Sequence, residues 1–176
     1  MTVVTALCDC SALLLLASGP AKVRRPATTA AMLTELRLPA WRALPQHAVV
    51  RGIGVAEIAV AVCVLAAGGV VSAGLLALAF LCFALVALGL LTTASTVDCG
   101  CFGATSAPVS PAHVAVTAAG CACGIAGLVT GLGPVTDLFH PGALLGGVTV
   151  VLVATLAGAA YLTITALPGL MRARTS

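Results

Sequence analysis

Charged side chains are nearly missing from this sequence. Asp, Glu, Lys and Arg together make up 7% of its 176 residues, and aromatic residues only 3%. A soluble domain of this size carries about a quarter charged residues, so this chain could not cover a surface that faces water. Hydrophobic residues instead make up 61%, with a mean hydropathy of +1.20. The composition favours an integral membrane protein, and the small net charge of +3 does not indicate a nucleic-acid partner.

Five apolar stretches approach the roughly 20 residues that a membrane-spanning helix needs. They cover about 2–19, 48–69, 71–94, 112–133 and 142–167. We therefore predict an all-α, polytopic membrane helix bundle with four or five transmembrane helices, forming a single domain over 1–176 in the cell membrane. Four spans would follow if the first stretch were a cleaved signal peptide, but no positively charged segment precedes it. Small residues occur throughout, which favours close helix packing.

The basic residues predict the topology. Six lie between or beside the first two spans and two lie near the C-terminus: Lys22, Arg24, Arg25, Arg37, Arg42, Arg51, Arg172 and Arg174. With five spans all eight fall on one face, which the positive-inside rule makes cytoplasmic, with the N-terminus outside. Membrane lipid is an expected partner, because Lys22, Arg24 and Arg25 would contact anionic headgroups. The sequence predicts a short helix over residues 28–38 that lies at the membrane–water interface. Trp41 suits the same depth.

Eight cysteines form the most unusual feature of the composition. Six make three Cys-x-Cys pairs, and the others stand alone: Cys8/Cys10, Cys99/Cys101, Cys121/Cys123, Cys63 and Cys82. Two of the pairs lie inside predicted helices, where residues i and i+2 point about 200° apart, so their members cannot bridge to each other. A dithiol between helices, Cys63 with Cys82 or Cys10 with Cys121, is a further hypothesis.

The pair Cys99-Gly100-Cys101 differs because it lies in a predicted loop. Gly100 can adopt the backbone angles that a small disulfide ring requires. Such a ring is strained, and strained disulfides are the ones that exchange readily. The pattern indicates a redox-active dithiol at the membrane surface. Metal ligation by the two thiols, or simple packing of small apolar side chains, are the alternatives.

Two acids lie inside predicted spans, where ionisable groups are costly and usually functional or paired. Glu57 could carry protons, contact a bound headgroup, or hydrogen-bond a neighbouring helix. Arg51 lies six residues earlier on the same helix, too far round the axis for a direct pair, and could extend to the interface. Asp9 could accept a thiol proton or hydrogen-bond another helix. His113 begins the fourth span, where it could promote thiolate formation, complete a metal site, or be inert.

Several of these residues occur in a recognisable order. Ser18-Gly19-Pro20-Ala21-Lys22 is followed by Arg25-Pro26, by Arg51 to Glu57 and, after a further span, by Asp98, Cys99, Gly100, Cys101, Phe102 and Gly103. Over about residues 1–130 this resembles the MauE family of methylamine-utilisation membrane proteins, related to the DoxX-like bundles. The resemblance implies a role in maturing methylamine dehydrogenase, whose small subunit carries many disulfides, together with the thioredoxin-like protein MauD.

The expected function is a membrane thiol–disulfide redox component, and whether the chain is itself an oxidoreductase stays open. Cys99, Cys101 and Glu57 are the expected catalytic residues. The supporting residues would be Asp98, Gly100, Phe102, Gly103, Lys22, Arg51 and His113. A quinone is the electron acceptor or donor expected by analogy with other membrane thiol oxidases, although no sequence motif identifies its site. A metal-handling protein with thiolate ligands and a non-enzymatic assembly factor are the alternatives.

The predicted topology conflicts with this function. Disulfides of an exported enzyme form outside the cytoplasm, whereas the positive-inside rule places Cys99 and Cys101 on the cytoplasmic face. Three explanations would resolve this conflict: the loop passes electrons through the membrane, the topology is inverted, or the loop enters the bilayer.

Overall fold

The computed structural model describes residues 3–36, 41, 43–93, 109–140 and 142–166. The helices are α1 (Val3–Arg24), α2 (Pro26–Glu35), α3 (Gln46–Ala67), α4 (Gly69–Thr92), α5 (Pro111–Thr130) and α6 (Ala143–Thr165), with a 3₁₀ helix at Val135–Phe139. These residues include no strand, and every α-helix except α2 is long and apolar enough to cross a membrane. The predicted polytopic, all-α membrane bundle is therefore confirmed, with five candidate spans.

Helix α1 lies at the centre of the bundle, where it packs against α3, α5 and α6. Over its most apolar window 56% of the residues are buried, against 28% or fewer in the other spans. The helix continues through Pro20 to Arg24, five residues beyond the predicted end. Proline removes one backbone donor, a loss that transmembrane helices tolerate through neighbouring groups. The core of the bundle thus depends on α1.

Glycines bring the helix pairs into backbone contact. A Cβ atom added to Gly54 of α3 would lie 2.6 Å from the carbonyl oxygen of Gly19 on α1. In the other large interface, a Cβ on Gly124 of α5 would lie 2.6 Å from the backbone nitrogen of Ala77 on α4. Neither distance leaves space for a side chain. These contacts fulfil the expectation that small residues let the helices approach closely.

The turn between α3 and α4 identifies one end of the bundle. Gly68 has a φ of 60°, and a Cβ there would meet the carbonyl oxygen of Leu132 at 2.5 Å. The N–H of Gly69 donates to that same oxygen at 2.7 Å. This glycine turn therefore lies at the same end of the bundle as the C-terminus of α5.

Helix α2 lies at the opposite end and is shorter than the predicted segment 28–38. Its Met32 is buried against Leu90 of α4. Trp41 is only 6% exposed and donates from Nε1 to Thr34 Oγ1 at 3.1 Å. Its ring packs with Ala30 and Val50, while the interfacial level expected for Trp41 stays a prediction.

Candidate functional site: a buried ion pair beside an apolar groove

A buried ion pair joins α1 to α3. Lys22 Nζ lies 2.8 Å from Glu57 Oε1 and donates to Oε2 at 2.9 Å. Ser18 Oγ donates to Glu57 Oε2 at 2.8 Å and accepts a hydrogen bond from Lys22. Both charged side chains are 3% exposed or less. Two charges removed from water require this kind of mutual contact.

The glycine contact positions the pair. Lys22 follows Gly19 by three residues on α1, and Glu57 follows Gly54 by three residues on α3. Side chains three residues apart lie on the same helix face. The backbone contact between Gly19 and Gly54 therefore brings the faces that carry Lys22 and Glu57 together. A larger side chain at either glycine would separate them.

One sequence interpretation changes at this site and another is retained. Lys22 is not a lipid anchor, because its side chain points into the bundle and is 2% exposed. Arg51 is exposed and does not pair with Glu57. Glu57 does hydrogen-bond across helices, as one of the sequence alternatives held. The chain has a single lysine, placed one helical turn after Ser18, and this signal could have suggested a partner for the intramembrane acid.

An apolar groove of about 390 Å³ lies beside the ion pair, between α3 and α4 and next to α2. Lys22 and Glu57 contribute to its wall, and nearly all the other lining side chains are apolar. Lys22 Nζ lies 4.9 Å from the centroid of the Phe83 ring, a distance typical of a cation–π contact. Phe83 in turn meets Phe80 edge to face, with centroids 5.8 Å apart. The charged pair therefore adjoins a space that is otherwise suited to lipid-like molecules.

The predicted dithiol segment lies outside the described residues. This applies to all six of its positions: Asp98, Cys99, Gly100, Cys101, Phe102 and Gly103. The chain leaves α4 at Thr93 and is described again from Val109, which packs against the cluster of Met32 and Leu90. Both ends of this connection thus lie beside α2, at the end of the bundle where α1 ends with Arg24. Among the described basic residues, Lys22, Arg24 and Arg25 lie at this end, while the shared cytoplasmic face stays a prediction.

His113 begins α5 directly after that connection. Its Nδ1 accepts the backbone N–H of Ser110 at 3.2 Å and lies 3.0 Å from Ser110 Oγ. The ring is 4% exposed. The two residues form a reciprocal cap on the first turn of α5. The structure thereby gives His113 a role in starting the helix, while its proposed influence on Cys99 and Cys101 stays a prediction.

A second polar group is buried in the other half of the bundle. Cys8 Sγ donates to the carbonyl oxygen of Cys123 at 3.3 Å, whereas Cys10 packs against Val153 of α6. The predicted divergence of Cys8 and Cys10 is confirmed. Asp9, between them, is 1% exposed, and neither of its carboxylate oxygens has a hydrogen-bond partner among the described residues. Of the two sequence alternatives for Asp9, the hydrogen bond to another helix is therefore not found there, and the acceptance of a thiol proton stays a prediction.

The six described cysteines are all free thiols. The hypothesis of a bridge between Cys63 and Cys82 is wrong. Cys63 precedes Gly68 by five residues and Cys82 follows it by fourteen, so in an antiparallel hairpin the two differ in depth by about 14 Å. Disulfides require Cα atoms within about 7 Å. Cys10 and Cys121 belong to different packing clusters, the first against α6 and the second against the central core.

These exposures predict the order in which the thiols react. In native membranes we expect the membrane-permeant reagent N-ethylmaleimide to modify Cys63 and Cys82 well before Cys8, because the first two are exposed and Cys8 is 0% exposed. Mass spectrometry of peptides from a time course measures the three rates. Equal rates would contradict the packing of α1 described above.

The described part of the chain contains no ligand set that would support the metal-handling alternative. No group of three or more His, Cys, Asp or Glu side chains is placed there to hold a metal ion.

The fold and the site define an integral membrane helix bundle with a buried ion pair beside a lipid-accessible groove. Residues 1–131 match the model of the family described as methylamine utilisation protein MauE. Because the match covers most of the chain, this protein belongs to the MauE family, a family of multi-pass membrane proteins. The match includes α1 to α5 and ends before α6. No curated protein and no solved structure matches the chain.

Proposed function

We propose that this protein is the membrane component of a thiol–disulfide exchange system in methylamine utilisation, with a thioredoxin-like protein as its partner. Cys99 and Cys101 are the exchanging dithiol. One observation carries the proposal: Cys99-Gly100-Cys101 lies inside the region that matches the family, in the connection between α4 and α5. The pair is close enough in sequence to form a strained, exchangeable ring.

The exchange proceeds through a mixed disulfide. A thiolate of the reduced partner attacks one sulfur of the Cys99–Cys101 disulfide and releases the other as a thiolate. The second thiolate of the partner then attacks the mixed disulfide. The partner leaves with a disulfide, while Cys99 and Cys101 hold the two electrons as thiols. The reverse sequence would reduce the partner.

Trapping the mixed disulfide tests the proposal. In a strain that expresses a thioredoxin-like partner without its second cysteine, we expect the parent protein, with Cys99 and Cys101 oxidised, to accumulate a covalent complex that a reducing agent dissolves, since the partner has no second thiol with which to leave. Cys99→Ala and Cys101→Ala, which cannot form the disulfide that the partner attacks, should each give no complex. Non-reducing electrophoresis and mass spectrometry identify the complex.

The matched control removes two other accessible thiols. Cys63→Ala with Cys82→Ala should leave the trapped complex and the activity unchanged. Full maturation of the disulfide-containing target by the Cys99→Ala/Cys101→Ala variant would overturn the proposal, and it would instead support a non-enzymatic assembly factor.

A further inference from the structure

We propose that Asp9 is a proton-binding site inside the membrane, and that its side chain is a neutral carboxylic acid in the folded protein. Asp9 lies six residues, about 9 Å, from the start of α1 at Val3. The ligand of this site is a proton and not a metal cation. Proton binding at Asp9 does not depend on the thiol exchange proposed for Cys99 and Cys101.

Asp9 points toward the junction of α5 and α6. Its neighbours in sequence fix this direction, because successive side chains on a helix are about 100° apart. Cys8, on one side, donates to the carbonyl oxygen of Cys123 on α5, and Cys10, on the other side, packs against α6. Asp9 lies between these two directions. Ser18, which bonds to α3, follows nine residues later and is therefore about 180° away from Asp9 round the helix.

The two helices at this junction bring no positive charge to Asp9. Helix α6 contains no charged residue, and its one titratable side chain is Tyr161. The titratable side chains of α5 are Cys121, Cys123 and His113. Thiols and a phenol carry no positive charge in any protonation state. The histidine caps the first turn of α5, ten residues and about 15 Å from Cys123 along the helix axis.

The charges of α1 and α3 lie farther from this site. Lys22 follows Asp9 by thirteen residues, about 20 Å along α1, and is paired with Glu57. Arg51 and His47 precede Glu57 on α3, toward the end of the bundle where α2 lies, so they are more distant still. Within the described residues, no basic side chain is placed to neutralise Asp9.

The carboxyl group of Asp9 is enclosed as well as uncompensated. The residue is 1% exposed, and its two oxygens have no hydrogen-bond partner in the part of the chain that the structure describes. An ionised carboxylate in such surroundings is much less stable than the neutral acid, so the group takes up a proton. Glu57 shows the other solution for a buried acid, because it is paired with Lys22. Membrane-embedded acids that bind a proton are the usual carriers of proton relays.

A metal cation fits this site less well than a proton does. Sodium sites in membrane helices use carbonyl oxygens of unwound backbone, whereas α1 is one continuous helix from Val3 to Arg24. Its carbonyl oxygens near Asp9 already accept hydrogen bonds within the helix. Among the described side chains, Asp9 also belongs to no group of three or more potential metal ligands. A proton needs only the carboxyl group itself.

Infrared spectroscopy tests the protonation directly. A carboxylic acid shows a carbonyl stretch that a carboxylate lacks, and this band shifts to lower frequency in D₂O. In dodecyl maltoside micelles, which add no carbonyl absorption, we expect the band at neutral pH from the parent protein and from the control Asp137→Asn. Asp137 is partly exposed and lies beside His140. Asp9→Asn should remove the band.

Three spectroscopic results would overturn the assignment. The first is a parent protein without the band at neutral pH, a result that requires no variant to fold. The second is a folded Asp9→Asn variant that keeps the band. The third is loss of the band when sodium chloride replaces potassium chloride in the buffer, because a metal cation would then compete for the carboxylate.

Stability provides a second readout of the same site. Asparagine is neutral and nearly the same size, so Asp9→Asn should change the unfolding equilibrium constant by about tenfold or less, since one uncharged polar group replaces another. Glu57→Gln should change it by about a hundredfold or more, because the Lys22 charge stays buried without its carboxylate. A loss in Asp9→Asn as large as that in Glu57→Gln would reveal a buried cation beside Asp9 and contradict the neutral acid.

Discussion

Glu57→Gln is expected to lower the free energy of unfolding by about 3–5 kcal/mol, the cost of removing one partner from a buried ion pair. Lys22 would keep its charge in a position that is 2% exposed, without the carboxylate that neutralises it. Lys22→Met should cost a similar amount, because it leaves the Glu57 carboxylate buried. Denaturant titration in detergent micelles, followed by circular dichroism, measures both losses.

Removing both charges should restore much of this stability. Buried ion pairs can often be replaced by apolar residues of similar volume at little net cost, so Lys22→Met/Glu57→Met should unfold close to the parent protein. Arg51→Met is the control, since Arg51 is exposed on the same helix and a surface change of this kind alters stability by about 0.5 kcal/mol or less. If the two single losses simply added in the double variant, the pairing of Lys22 with Glu57 would be contradicted.

The double variant also distinguishes a structural pair from a functional one. A pair that only joins α1 to α3 can be replaced without loss of thiol exchange, provided that the bundle folds. A pair that takes part in the exchange itself cannot, so Lys22→Met/Glu57→Met would fold while thiol exchange with the partner is lost. Sequence reasoning alone left a structural and a functional role of Glu57 open.

The helices were predictable because the lipid environment imposes a simple rule. A spanning helix must satisfy its own backbone hydrogen bonds over about 20 apolar residues, and the apolar stretches of this chain are separated by proline, glycine and charged residues. The divergence of Cys8 and Cys10 followed from helix geometry alone. The C-terminal end of α1 was harder to predict from the sequence. A proline at position 20 would indicate a helix boundary in a soluble protein, but it is tolerated inside a membrane helix.

The ion pair was not predictable from local pattern. Lys22 and Glu57 lie 35 residues apart, and their contact depends on the backbone approach of Gly19 and Gly54, which spacing along a single helix does not reveal. Lys22 also follows a proline and precedes two arginines, a context typical of an interfacial anchor. The groove was not predictable from local pattern either, because its lining combines residues of α1, α2, α3 and α4.

Gly54→Ala is expected to lower the free energy of unfolding by about 1–3 kcal/mol, the usual cost of overpacking a tight contact. The added Cβ would lie 2.6 Å from the carbonyl oxygen of Gly19, a backbone atom that cannot rotate away. Helices α1 and α3 would have to separate. Gly52→Ala is a matched control two residues away, where an added Cβ meets nothing within 4 Å. There alanine should leave stability unchanged or raise it by up to about 1 kcal/mol, because alanine favours helix more than glycine does.

Gly54→Ala should lower the free energy of unfolding, whereas Gly52→Ala should not. The loss caused by Gly54→Ala should also depend on the ion pair. An added Cβ at Gly54 would also lie 3.1 Å from Lys22 Cβ, so separating the helices moves Lys22 away from Glu57. Part of the loss in Gly54→Ala should therefore be absent when the pair has already been removed. Gly54→Ala should cost less in the Lys22→Met/Glu57→Met background than in the parent, whereas Gly52→Ala should behave alike in both. Equal costs of Gly54→Ala in the two backgrounds would show that the glycine contact does not position the ion pair.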